Sequence, residues 1–372
     1  EEVMSSVGLL LLLVAALLCG VSISAGAAPW SQLYGLSPRV QLQKLNPKTA
    51  AVLEETDSLA YEAQGQGLGT IDTTEGVYYF VGTNVSSQTI SLVGISGASG
   101  RITTEIELPL ELEMLVGVGQ FCDYDVLNKD VIVVGRDRLL KNQHAMLRVN
   151  PKSGAIKTLS KIGDFSPLDL LGGTSFFDAV ANMEWFQLPI NNSGSIVIRF
   201  YGYSGDSGTL LNILDNPLNF VNLAFDRTTG LAYGVGARLE PNTGQIIRVL
   251  GSFDSSTGVS KPIADLPGNY VVMMGSIGTM DEENGLLYSF ILKGNSTYST
   301  PVGSSMPDDV RVGVHKWLPN SLTQDDAGHP LEDIPGMNLV AIDVKTGKIV
   351  SSPKACDQFP DCSWNLEYLN QD

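Results

Sequence analysis

A chain of 372 residues with 43% hydrophobic content can bury a large core, and its 39 glycines point to a turn-rich all-β protein rather than a helical or fibrous one. A formal net charge of -17 argues against a nucleic-acid partner, because no basic stripe offsets phosphate repulsion. The same charge suits a basic partner, a cation or simple solubility.

Taken in chain order, the first feature is the uncharged apolar run from Met4 to Val21, followed by Ala25-Gly26-Ala27. This is the pattern of a secretory signal peptide over 4–27, with cleavage near Ala27 or Ala28 and the mature domain running over 28–372. The run is short for a membrane span, and no later run is long enough for one, so the chain is expected to be secreted and extracellular, with no membrane span after cleavage. Two features depart from the pattern: the run carries no Lys or Arg at its start, and Glu1 and Glu2 precede Met4.

Beyond that segment the chain repeats one hairpin. Its clearest copy is Asn222-Leu-Ala-Phe-Asp-Arg-Thr-Thr-Gly-Leu-Ala-Tyr-Gly-Val-Gly236, read as strand, tight turn, strand, with Asp226 accepting from the turn backbone and Gly230 supplying a positive φ. Related turns begin at Asp72, Asp125, Asp178 and Asp281, which with Asp226 gives spacings of 53, 53, 48 and 55 residues. Periods of that size are those of β-propeller blades. A second turn family alternates with the first: Ser96 to Gly100, Asn150 to Gly154, Ser204 to Gly208, Asp254 to Gly258 and Asp343 to Gly347. With strands A and B around the first turn and C and D around the second, five four-stranded blades fall at about 66–110, 115–164, 172–215, 219–266 and 272–351.

The two ends complete a sixth blade. Gln32 to Leu36, Val40 to Leu45 and Ala51 to Glu54, with the turn Asn46 to Ala50, supply B, C and D but no A. Ser363-Trp-Asn-Leu-Glu-Tyr368 matches Val221-Asn-Leu-Ala-Phe225 and supplies an A without its B. Pairing the two removes free sheet edges, so the expected fold is all-β, a six-bladed propeller closed by its C-terminal strand; five or seven blades would require misreading the long interruption in blade 5. That interruption, 294–335, is a loop long enough to be functional and includes the apolar stretch Val310 to Leu318, which suggests a flap.

The phrases Leu223 to Tyr233 and Leu339 to Ile349 resemble the broad class of secreted six-bladed β-propellers, over nearly all of the mature chain. The resemblance implies either a binding module or an enzyme such as a calcium-dependent, lactonase-like hydrolase or a quinone-cofactor oxidoreductase. No ligand set specific to one of these matches, so no catalytic residue carries over and the catalytic assignment stays open. We expect a monomeric binding propeller whose top face, made of B/C and D/A loops, meets an extracellular protein, a glycan or a small molecule.

Strand A starts should line the axial channel, with Thr70, Gln120, Ser175, Asn222, Ser276 and Asn365 as its polar residues. No carboxylate stands among them, so no cofactor is predicted; calcium would have to draw its acids from the D/A loops. The flap offers His315, Trp317 and His329. The sequons at Asn84, Asn191 and Asn295 mark glycosylation, Cys356 and Cys362 are spaced for a small disulfide loop, and Cys122 reads as a buried inert thiol. His144 is placed in a B/C loop. The turn aspartates read as turn formers, and Gly205 to Gly208 as a turn without a base rather than a nucleophile segment.

Overall fold

The computed structural model describes residues 32–37, 40–63, 69–110, 121–136, 144–163, 174–192, 195–220, 222–240, 246–267, 270–272, 278–293, 337–356 and 364–369. These residues form six antiparallel sheets and, among them, no helix. A compact unit spans 32–370.

Each A/B turn is built as the sequence reading expects. One carboxylate oxygen of Asp72, Asp125, Asp178, Asp226 and Asp281 accepts backbone N–H groups two or three residues ahead, from Thr74 at 2.9 Å, Leu127 at 3.0 Å, Val180 at 2.8 Å, Thr228 at 2.8 Å and Asn284 at 3.0 Å. The residue four places after each Asp then takes a left-handed φ: Gly76, Lys129, Asn182, Gly230 and Gly285. The C/D turns use the same template, with Gly100, Gly154, Gly208, Gly258 and Gly347 left-handed and Ala50 doing so in the closing blade. Such turns reverse the chain without unpaired donors, so the strands on either side pair in register.

The blades follow. Blade 1 comprises Gly69–Asp72, Val77–Asn84, Ile90–Ser96 and Ile102–Glu107; blade 2, Cys122–Asp125, Asp130–Arg136, His144–Val149 and Ile156–Gly163. Blade 3 comprises Thr174–Asp178, Met183–Asn192, Ser195–Ser204 and Leu210–Asn216; blade 4, Ala224–Asp226, Leu231–Leu239, Ile246–Asp254 and Val259–Asp265. Blade 5 comprises Thr279–Asp281, Leu286–Lys293, Met337–Asp343 and Ile349–Ser351. In blades 1, 4 and 5 the A strand is split, because Tyr61–Ala63, Asn219–Phe220 and Tyr270–Val272 pair farther along the same B strand. His144, expected in a loop, instead opens strand C of blade 2 opposite Arg136, and it is buried.

Trp364–Leu369 lies antiparallel to Gln32–Leu36, pairing Gln32 with Leu369, Leu33 with Tyr368 and Leu36 with Trp364, and Gln32–Leu36 continues to Leu42–Leu45 and Val52–Glu55. The inner strands touch their neighbours in a complete cycle, through Gly69–Asp72, Cys122–Asp125, Thr174–Asp178, Ala224–Asp226, Thr279–Asp281, Trp364–Leu369 and back to Gly69–Asp72. The ring is therefore closed, and its last blade joins the two ends of the chain.

Blade faces pack through apolar B and C strands, while D strands alternate inward and outward; Ile102–Glu107 shows one face to solvent at every second residue. Between blades 3 and 4 lies an aromatic cluster in which Trp185 and Phe200 are fully buried, and the Phe200 and Phe253 rings stack with centroids 4.1 Å apart. Gly202 permits this. A Cβ there would meet the indole of Trp185 at 2.8 Å, so any side chain would push the ring off its partners.

Candidate functional site

The axis is described at the end where the A/B turns lie, which we term the lower mouth. It holds a cavity of about 130 Å³ whose walls come from five blades, through Thr70, Asp123, Phe176, Ala224 and Thr279 at one level and Tyr124, Phe177, Phe225 and Met280 at the next. Counted back from the turn aspartates, the first set stands two residues before Asp72, Asp125, Asp178, Asp226 and Asp281, and the second stands one before. Arg227 and Glu282 reach the rim, where the guanidinium Nε meets both carboxylate oxygens at 3.0 Å.

The other oxygens of Asp72, Asp125 and Asp178 tie blades together, while those of Asp226 and Asp281 accept from Thr229 and Asn284 in their own turns. Tyr124 Oη donates to Asp72 at 2.7 Å from blade 2 to blade 1, and Ser255 of blade 4 donates to Asp178 of blade 3. Arg148 donates to Asp125 at 2.7 Å and also to the Gly205 carbonyl of blade 3. The turn carboxylates are thus structural throughout.

One acid at the axis is different. Asp123 accepts a hydrogen bond from Ser175 of the adjacent A strand and lines the cavity. It also meets Glu184, on strand B of blade 3. Burial pushes Asp123 up to about 6, against the hydrogen bonds of Ser175 and Glu184, which favour its charged form. Glu184 is raised well above the usual carboxyl range by its own burial first, then by the charge and hydrogen bond of Asp123 and the charge of Asp125. The shared hydrogen bond thus favours the proton on Glu184 and the charge on Asp123.

The residues expected to line the channel divide. Thr70 is on the cavity wall. Ser175 is fully buried and spends its hydroxyl on Asp123. Asn222 is fully buried as well, and its amide bridges blades: Oδ1 accepts Val235 N–H and Nδ2 donates to Ser289 Oγ on blade 5, both at 2.8 Å. Asn222→Ala should cost about 2–4 kcal/mol in urea unfolding, since it strands a buried donor and a buried hydroxyl. An unchanged midpoint would remove the bridge from the account. Asn365 falls on the closing strand. Gln120, Ser276, His315, Trp317, His329, Asn295 and Cys362 lie outside the described residues, as do 4–27 and 294–335.

Asn84 caps the B/C turn of blade 1, its Oδ1 accepting from Ser86 and Ser87, and Asn191 is near the end of a B strand. Cys122 is a buried thiol outside any disulfide.

A carboxylate does stand on the axis, contrary to the sequence reading, and the missed signal was register. Asp123 occupies the same position as Thr70 relative to its turn aspartate, whereas Ser175 stands three residues before its own and so points to the opposite face of its strand, and Asn222 lies in the break between Asn219–Phe220 and Ala224–Asp226. A second missed bridge is Gln187, whose amide donates to the Phe220 carbonyl at 2.6 Å and accepts Phe220 N–H at 3.0 Å, extending strand-like pairing between blades 3 and 4.

The fold and its axial site define a six-bladed β-propeller. No protein-family model matches the chain, and no curated protein does. Among solved structures it is similar to TolB from Acinetobacter baumannii, at 8% identity and a TM-score of 0.55, over 92% of this chain and 67% of that one. It also overlaps a GH74 enzyme from Niastella koreensis at 10% identity and a TM-score of 0.47, over 87% of this chain and 45% of that one. An oligogalacturonate lyase from Vibrio parahaemolyticus gives 8% identity and a TM-score of 0.44, over 87% and 79%. Likeness at such identity establishes the fold and leaves the chemistry to the residues.

Proposed function

We propose that this chain is an exported propeller whose work is binding, at its axis and on the loops around it. The supporting observation is how the axial carboxyls are used. Five turn aspartates are engaged by their own turns, and the remaining axial acid shares a hydrogen bond with Glu184. A glycosidase needs two carboxyl groups on opposite sides of a bond, about 5 Å or more apart; two that bond to each other cannot take those places. A calcium site likewise calls for several oxygens free to ligate, and here Asp123 is engaged by Ser175 and Glu184. The arrangement is suited to receiving a ligand's donor.

On this proposal the signal segment 4–27 directs export, the sequons at Asn84, Asn191 and Asn295 carry glycans, and a Cys356–Cys362 bridge closes a small loop. The upper loops, with 294–335 and its His315, Trp317 and His329, would choose the extracellular partner. Calcium provides the cheapest test. A melt in calcium and in EDTA should give the same midpoint, whereas a rise of several degrees in calcium would overturn the binding reading in favour of an ion-dependent hydrolase, because a ligand bound only by the folded state raises stability.

A further inference from the structure

The lower mouth combines three features. A carboxyl group, that of Asp123, lines the wall and accepts a hydrogen bond from Ser175, ring residues line it as well (Tyr124, Phe176, Phe177 and Phe225), and the volume of about 130 Å³ has room for roughly four waters. That is below the roughly 300 Å³ at which clefts for whole organic ligands begin, so the occupant is a small head group or the end of a side chain. Its rim is electrically balanced, because Arg227 is paired with Glu282.

The polar content selects the ligand's sign. A carboxylate offers about four acceptor sites; the hydroxyl of Ser175 and the carboxyl of Glu184 occupy two from the protein side, and Asp123 still lines the cavity. An anion would face an unshielded negative charge there, while a neutral hydroxyl would gain a hydrogen bond but no charge of its own to pair with the carboxylate. An ammonium gains a charge-assisted hydrogen bond together with the attraction of the ring residues for a cation.

We infer that the lower mouth of the channel binds an alkylammonium group, with Asp123 as its counter-ion and the rings of Tyr124, Phe176, Phe177 and Phe225 as its walls. The group comes either from a free small amine or from a lysine side chain of a partner. Glu184 has a positioning role: its hydrogen bond favours the charged form of Asp123. The inference rests on the axis being a binding site and is separable from it in the test, since calcium dependence would overturn that reading whatever amines do.

The experiment is ligand-observed NMR titration of the full chain with n-butylamine, n-butanol and an N-acetyl-lysine methylamide at pH 7.5, repeated at pH 5. Butylamine should bind saturably, butanol should not, and Asp123→Asn should weaken the amine more than tenfold. The lysine derivative binding as well as butylamine assigns the site to a partner's side chain; butylamine alone assigns it to a free amine. Binding should also weaken toward pH 5, because the proton competes for Asp123, which among the described residues faces Ser175 and Glu184. Equal binding of butanol, an Asp123→Asn variant of unchanged affinity, or no binding by either amine would overturn the assignment. Should Asp123→Asn fail to fold, the butanol and pH arms decide it on the natural chain.

Discussion

Removing the C-terminal strand Trp364–Leu369 is expected to abolish the cooperative unfolding transition. The strand supplies the pairing partner of Gln32–Leu36, and its loss leaves that strand's outer edge unpaired in the middle of the closing blade. It also breaks the cycle of inner strands on both sides, at Gly69–Asp72 and at Thr279–Asp281. The milder change Leu366→Ala isolates the packing part. Leu366 is fully buried in one cluster with Leu33, Leu45, Phe290 and Leu339, so the truncation should cost about 2–5 kcal/mol. Far-UV circular dichroism through a urea titration reads both. A truncated chain that melts at the natural midpoint would mean that the ring does not depend on its closing strand.

The second large effect concerns pH. Asp123 and Glu184 both have folded-state values above their unfolded ones, so the folded chain holds more protons than the unfolded chain at intermediate pH. Stability from this pair is therefore full below the ordinary carboxyl range and declines as pH rises through the folded values, near 6 for Asp123 and well above the ordinary carboxyl range for Glu184. For Asp123, a rise from 3.8 to about 6 corresponds to a loss on the order of 3 kcal/mol by pH 8. Glu184→Gln keeps the shape and donates an N–H to Asp123 without a proton to lose. It should flatten the decline, gaining stability over the natural chain at pH 8 and little at pH 4.5. Parallel urea titrations at the two pH values give the comparison, and equal slopes with pH would show that the pair does not titrate as a unit. The outcome also bears on the axial site, because Glu184→Gln leaves the charge of Asp123 in place for an amine.

Much of this architecture is legible in the residues. Asp72, Asp125, Asp178, Asp226 and Asp281 with their following left-handed residues are local devices, and local devices can be read from composition and spacing. The match between Trp364 to Tyr368 and Val221 to Phe225 identifies a strand of the inner kind at the end of the chain, and only the N-terminal strands lacked one. Polar residues near the channel were harder. Choosing Ser175 by its polarity ignored the strand period of two, and Asn222 falls in the break of its split A strand, where its amide bridges toward Ser289.

The sequence by itself determined the repeat, the turn chemistry, the count of blades and which segments had to meet to close the ring, because the turns and the period are set within some fifty residues and the closing strand is the one copy of the repeat left without its partner. Only the tertiary structure decided that Glu184 of one blade faces Asp123 of the next, that Gln187 pairs with the Phe220 backbone, and that the lower mouth encloses a small cavity. These contacts join residues on separate blades, and they depend on how far each sheet is wedged and rotated against its neighbour. That angle is a sum over whole blade faces, from the Trp185, Phe200 and Phe253 cluster outward, and no local run of residues encodes it.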